Sequence, residues 1–194
     1  MIHVHVAVVR SISNVVVNKE SYFVRLFFLI YDIILLESDF MDKINPFEKF
    51  NKDWALVTAG NKDRFNSMTI SWGSMGTLWF KNIVTIYIRP DRYTFEFLEG
   101  CDYFTLSFFD EKYRDILTMF GRNSGRDIDK VNESGFSPVF LDNGITYKEA
   151  SETIVLRKIY VQQLDKEKFS SDILKCYSGD APAHYMIIGE VVDE

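Results

Sequence analysis

Apolar positions in this chain recur mostly at every second residue and only locally at every third or fourth, a pattern that predicts many short strands and few helices. Residues 54–59 form an apolar run closed by Gly60-Asn61, which reads as a strand and a connection. Residues 67–72, SMTISW, alternate polar and apolar and end at Gly73. At 83–88, Val84, Ile86 and Ile88 share one face with Thr85 and Tyr87 opposite. Arg89-Pro90 ends that strand, because proline lacks a ladder donor and restricts its predecessor. Residues 103–109 repeat the alternation, with Phe104, Leu106 and Phe108 on the expected core side and Thr105 and Ser107 on the other.

Two stretches change period. Residues 95–99 read as a short helix entered through Asp91 or Thr94 and closed by Gly100. Asp110 is placed to cap a helix in which Tyr113, Ile116, Leu117 and Phe120 recur at helical spacing, with Gly121 as the stop. Residues 122–138 are polar and rich in glycine and serine, a loop with one short helical turn. Strands are predicted again at 138–141, 154–160 and 186–192, with a short helix near 169–175. Many strands with few interleaved helices predict a mainly β antiparallel barrel or sandwich with function at its rim.

Residues 1–40 stand apart from this pattern. The run at 22–36 is apolar but broken by Arg25 and Asp32, and it is short for a membrane span. Glu20 beside Lys19 weakens a basic leader, and no small-residue cleavage site follows. A helix added before the domain, a targeting segment and a translated stretch upstream of a start at Met41 all stand as readings of 1–40. The domain itself is expected over 41–194, without integral membrane association.

Composition narrows the partners. A net charge of −6 offers no basic field for a nucleic-acid backbone, which argues against that partner. Arg114, Arg122, Arg126 and Lys130 are scattered in a way that suits one small anionic ligand better than a polymer. The 17 Phe and 10 Tyr supply core rings and leave some for a pocket. Cys101 and Cys176 match neither a disulfide framework nor a metal site, in keeping with a reducing cytoplasmic setting. Of the 3 His, two are His3 and His5, so His184 alone lies inside the domain and no three-histidine metal site is expected.

The chain has no phosphate-loop GKS/T, no GxGxxG between strand and helix, no GxSxG elbow and no zinc spacing. A bound organic cofactor or plain ligand binding remains. Four stretches offer the chemistry. In Asn66, Ser67, Met68, Thr69, Ile70, Ser71 and Trp72, amides and hydroxyls can meet a planar polar ring between apolar walls; the same residues also suit a strand with one wet face. Arg89, Arg92 and Thr94 lie where a strand enters a helix and can meet a phosphate, or make surface ion pairs. Ser124, Gly125 and Arg126 combine flexible backbone with donors, as a cofactor loop or a solvated linker would. The fourth is Gly179-Asp180 followed by His184, a structural histidine or one facing substrate.

The segments NSMTISW, RPDRYTFEF, CDYFTLSFF, GRNSGRDIDK and GDAPAHYMIIGEV occur in that order. On them the chain over 52–192 resembles the flavin-reductase-like FMN-binding split barrels, in particular a compact subgroup related to flavoredoxins. The resemblance implies a Greek-key split barrel with a few peripheral helices, FMN as cofactor and a homodimer with flavin near the interface. It implies that 66–72 meet the isoalloxazine ring, with Ser67, Thr69 and Ser71 as leading hydrogen-bond partners. Arg89 and Thr94 would lie near the phosphate and ribityl tail, with Arg92 beside them. Ser124, Gly125 and Arg126 would line the cofactor or face substrate, and His184 would orient substrate. The implied activity passes hydride from NADH or NADPH to flavin and then to a small-molecule, flavin or protein acceptor. A flavoredoxin-like carrier reduced by a protein donor and an FMN or haem-related binding protein are the alternatives.

Overall fold

A computed structural model of the chain describes residues 45–177 and 179–192, so the expectations for 1–40 lie outside the described residues. Asn45 caps the first short helix, α1 (Pro46–Glu48), by accepting from the Phe47 N–H at 3.2 Å. A wide helical turn, Lys49–Asp53, then sends Phe50 inward. The strands are β1 (Ala55–Gly60), β2 (Phe65–Ile70), β3 (Gly73–Leu78), β4 (Lys81–Ile88), β5 (Tyr103–Phe108), β6 (Pro138–Leu141), β7 (Gly144–Tyr147), β8 (Glu152–Gln163) and β9 (Tyr185–Val192). Between them lie α2 (Tyr93–Gly100), α3 (Arg114–Arg122), α4 (Lys130–Ser134) and α5 (Ser171–Leu174). No helix among the described residues is long and apolar enough to cross a membrane.

Seven strands form one antiparallel sheet in the order β2-β1-β5-β8-β9-β4-β3, and β6-β7 form a separate hairpin. The two edge strands, β2 and β3, are joined only through Ser71 and Trp72. Two residues span a few ångströms, so the sheet must curl until both edges reach this corner. The edges do not pair there, which makes the barrel split. The inner core is built from alternate residues of the strands, including Val57, Ile86, Phe104, Leu106, Leu156 and Ile187. Gly73 has no side chain because the Phe50 ring occupies the space: a Cβ there would come within 2.4 Å of it.

A second core lies outside the sheet, where Leu56, Phe109, Leu117, Phe120, Phe136 and Tyr147 pack together. Its rings interlock, with Phe109 stacked on Phe136 at 4.9 Å between centroids. This layer corrects the one-sided reading of β5, since Thr105 and Ser107 are buried as fully as Phe104 and Leu106. The β6-β7 hairpin covers them and satisfies their hydroxyls. Thr105 Oγ1 donates to the Ile145 carbonyl at 2.5 Å, and Ser107 meets Thr146 at 2.9 Å.

Other boundaries differ for local reasons. The strand at 67–72 starts earlier, at Phe65, and stops before the Ser71-Trp72 corner. The strand at 154–160 runs longer, over Glu152–Gln163, with a register shift between Lys158 and Tyr160. Helix α2 begins at Tyr93 after Arg92, and neither Asp91 nor Thr94 caps it. Asp110 precedes a 3-10 turn, Glu111–Tyr113, rather than capping α3 directly. Strand β3, sequence GSMGTL, carries two glycines and no clean alternation, and pairing with β4 creates it.

Candidate functional site

Strand β2 presents a free sheet edge beside the split. The Ser67 carbonyl points to that edge, where it accepts from Lys130 Nζ at 2.6 Å. Backbone groups alternate in direction along a strand, so the N–H and C=O of Thr69 face the same way. A cleft of about 400 Å³ runs along this edge and is lined by Met68, Thr69, Ile70, Ser71, Trp72 and, from the far wall, His184. It continues into a second part of about 290 Å³, which shares Met68, Arg89 and Arg92 with the first. Asn66, Thr94, Ser124, Gly125 and Arg126 line that second part. Its size falls in the range of roughly 300–1,000 Å³ typical of small-molecule sites when the two parts are taken together.

The structure thus brings the four sequence stretches to one place, with Ser67 as the partial exception. Ser67 is only 2% exposed, and its hydroxyl lies in a chain with Thr58 and Tyr147, 2.7 Å at each step. Burial pushes the Tyr147 phenol up to about 12, so it remains a neutral member of that chain. Thr69 Oγ1 is also engaged, donating to the Leu117 carbonyl at 2.6 Å. What Thr69 offers the cleft is backbone, and the side chains of both Ser67 and Thr69 fasten β2 to the outer core.

At the corner end, Trp72 is 53% exposed and its ring lies 4.9 Å from that of His184. His184 Nδ1 is 2.8 Å from the Tyr177 hydroxyl, which orients the imidazole. Burial first, and then the Arg89 charge, hold this imidazole below its ordinary value, with Asp91 opposing. It is therefore neutral at pH 7, a hydrogen-bonding and stacking group rather than a cation.

The other end is cationic. Arg89 is tied to Asp91 by two hydrogen bonds, Nε to Oδ1 at 3.1 Å and Nη2 to Oδ2 at 2.9 Å. Arg126 pairs with Glu96. Arg92, by contrast, donates to the Gly121 carbonyl at 2.5 Å and forms no ion pair among the described residues. Lys130 is the residue that sequence reading left among scattered bases. It is only 5% exposed, and its ammonium is held by two carbonyls, Ser67 at 2.6 Å and Phe120 at 3.2 Å, with no carboxylate partner among the described residues. Burial, and then the nearby Arg92, pull it down to about 8. Two signals for it stand in the chain: it closes the GRNSGRDIDK segment, and Asp129 caps α4 and thereby sets Lys130 at the first helical position.

Asn66 joins the two walls by donating from Nδ2 to Thr94 Oγ1 at 2.7 Å. Gly125 packs so closely against it that a Cβ there would lie 2.1 Å from Asn66 Oδ1. The first turn of α2 opens into the same space, with Tyr93 and Thr94 on the lining. The Phe95 N–H donates to the Arg92 carbonyl at 2.9 Å, which leaves the N–H groups of Tyr93 and Thr94 without an intrahelical partner and favouring negative charge. The arrangement leaves room for a flat group along β2 and sets Arg92, Lys130 and the start of α2 around its far end.

The family model of the flavin reductase like domain matches residues 47–193, and the chain belongs to that family. Solved structures share the fold. A flavoredoxin from Methanosarcina acetivorans aligns with a TM-score of 0.58 at 17% identity, over 73% of this chain and 66% of its own. An FMN-binding protein from Thermus thermophilus, bound to 1-cyclohex-2-enone, aligns with a TM-score of 0.57 at 20% identity, over 72% and 67%. An NADH:FAD oxidoreductase from Streptomyces globisporus, in complex with NAD and FAD fragments, aligns with a TM-score of 0.56 at 15% identity, over 73% and 72%. The chain thus spans about two thirds of the first two. None of the curated proteins matches it.

Proposed function

We propose that the chain binds FMN in this cleft and is an oxidoreductase that takes hydride from NADH or NADPH and passes electrons to a flavin, small-molecule or protein acceptor. The observation that carries the reading is the continuity of the cleft from the free edge of β2 to Arg92 and Lys130, which form no ion pair among the described residues although Asp91 and Asp127 line the same end. Family membership and the similarity to an FMN-binding protein and an NADH:FAD oxidoreductase support it. When bound, FMN supplies the ring that accepts and releases electrons.

The residues of this chain hold and exclude. The backbone of Thr69 and the Ser71 corner receive the ring's polar edge, while Met68, Ile70 and Trp72 wall it against water. Arg92, Lys130 and the α2 N–H groups balance the phosphate, with Ser124, Gly125 and Arg126 closing that end. His184, held by Tyr177, steers the donor or substrate at the open mouth. This places the chemistry on distance and orientation rather than on a proton donor of the protein. The proposed working unit is 41–194, paired as a homodimer in the cytoplasm.

A second reading is a flavoredoxin-like carrier reduced by another protein, favoured by the exposure of Trp72 at the mouth. The purified full-length protein, loaded with FMN and mixed without oxygen with NADH and NADPH in turn, separates the two. Rapid bleaching of the flavin bands by either nicotinamide is the expected result. Bands that persist with both donors but bleach with a reduced protein favour the carrier. A protein that takes up no FMN removes the cofactor assignment, and a chain starting at Met41 that takes up none places the working boundary earlier.

A further inference from the structure

Among the described residues, one buried side-chain nitrogen has no hydrogen-bond partner, Arg114 Nη1. A buried donor left unpaired is costly and calls for an explanation. Arg114 stands on the wall of a cavity of about 480 Å³ that shares no lining residue with the cleft along β2. Three segments enclose this cavity: the wide turn Lys49–Asp53, the residues that follow β5, and the first turns of α3. The guanidinium lies over the Trp54 ring, 4.1 Å from its centroid, and Nη2 donates to the Lys52 carbonyl. That is one hydrogen bond for a group with five N–H donors. Trp54 itself has a φ of 62°, which a bulky residue keeps only where its surroundings hold it.

The natural partner of Arg114 is also unused. Glu111 precedes it by three residues on one stretch, where the 3-10 turn runs into α3, and residues at that spacing are neighbours. Yet the guanidinium turns to Trp54, and neither side chain forms an ion pair among the described residues. Two opposite charges therefore stand unpaired on one cavity. The remaining charges there are engaged elsewhere, Lys52 with Glu48 at 2.7 Å and Asp110 with Lys112 at 3.2 Å. A simple anion drawn to Arg114 would meet the carboxylates of Asp53, Asp110 and Glu111, and a simple cation would leave Arg114 unanswered. A zwitterion answers both. Phe109 and Leu117, both buried, give the same cavity an apolar side.

We propose that this cavity binds a free α-amino acid with an apolar side chain. Its carboxylate lies on the Arg114 guanidinium, its ammonium toward Glu111, and its side chain against Phe109 and Leu117. The site takes nothing from the flavin reading, because no residue of the cleft contributes to it.

Calorimetric titration of the full-length protein, flavin-free and FMN-loaded, with leucine tests it. Leucinamide, which lacks the carboxylate, and 4-methylpentanoate, which lacks the ammonium, serve as the two halves. Leucine is expected to bind both forms of the protein, and each half about tenfold more weakly, the value of one charge-assisted contact. Arg114→Met should abolish the preference for leucine over leucinamide. Because Arg114 also packs on Trp54, that variant can lose stability, so Glu111→Gln is the second probe. Glu111 is exposed and unpaired, so Glu111→Gln should keep the melting temperature and FMN affinity while bringing leucine down to the level of 4-methylpentanoate. Failure of both leucine and phenylalanine to bind overturns the site. Equal affinity for leucine and 4-methylpentanoate in the unaltered protein, or unchanged leucine affinity in Glu111→Gln, overturns the zwitterion assignment. A protein that binds leucine in this way but takes up no FMN would retain the site and lose the flavin reading.

Discussion

At the Ser71-Trp72 corner the cleft is half open and neutral, with an indole tilted against an imidazole that burial keeps uncharged. At the far end it presents a buried ammonium held by two backbone carbonyls and the face of the Phe120 ring, with no carboxylate partner among the described residues and with a guanidinium next to it. The corner can hold a planar group by surface and shape alone, and that attraction does not depend on the group's charge. The far end carries the desolvation of an unpaired cation, a burden that an incoming anion relieves. One end is therefore suited to a planar group and the other to an anion, and the two should respond independently to substitution.

The largest effect should come from Gly125→Ala, which strikes where the walls meet. Its Cβ would fall 2.1 Å from Asn66 Oδ1, and Asn66 is buried and bonded to Thr94. Overpacking of this kind costs about 1–3 kcal/mol. The variant should melt several degrees lower, and FMN affinity should drop far more than riboflavin affinity. Unchanged melting and binding would mean that the loop gives way freely.

Arg92→Ala and Trp72→Ala should cross over. The first should weaken FMN by roughly tenfold, the value of one charge-assisted phosphate contact, and spare riboflavin, which has no phosphate. The second should weaken both flavins by a similar, smaller factor. Arg89→Ala belongs at the bottom of the scale, within about threefold for FMN, because Asp91 already engages that half-exposed side chain. A greater loss from Arg89 than from Arg92 in fluorescence titrations would move the phosphate to the other arginine.

The mildest test is pH. Lys130 sits at about 8 in the folded chain against an ordinary 10.5. Its folded value is the lower one, so between these two pH values the unfolded chain binds more protons and stability should rise with pH. FMN affinity should move oppositely, falling as pH climbs past about 8 because the phosphate loses a charged partner. Riboflavin affinity should stay level, and Lys130→Met should flatten both slopes. Parallel pH curves for the two flavins would dissolve the contrast between the ends.

Much of the architecture could be read from residue order. Strict alternation made β4 and β5 visible, and helical spacing of Tyr113, Ile116, Leu117 and Phe120 marked α3, because each pattern reports a face that must leave water. Gly121 and Gly135 lie where helices end, although α3 runs on to Arg122. Strand β7, on GITY, was hidden because so short a segment carries too few positions for a period to show. The ordered motifs likewise marked which stretches to examine, and the fold brings nearly all of them to one cleft.

What the chain order could not determine is how each polar group is used once neighbours surround it. Ser67 and Thr69 read as hydrogen-bond partners through hydroxyl or backbone, and only the fold shows that Tyr147 and the Leu117 carbonyl, remote in sequence, engage their hydroxyls. Arg89 and Arg92 look alike in RPDRYT, and only their surroundings separate them, a carboxylate beside one and a helix-end carbonyl beside the other. Lys130 is an unremarkable lysine until α4 and the free edge of β2 enclose it. The pattern of apolar residues determined the strands because burial acts locally along each one. The site was decided by the tertiary structure, because desolvation, pairing and charge depend on partners that only folding assembles.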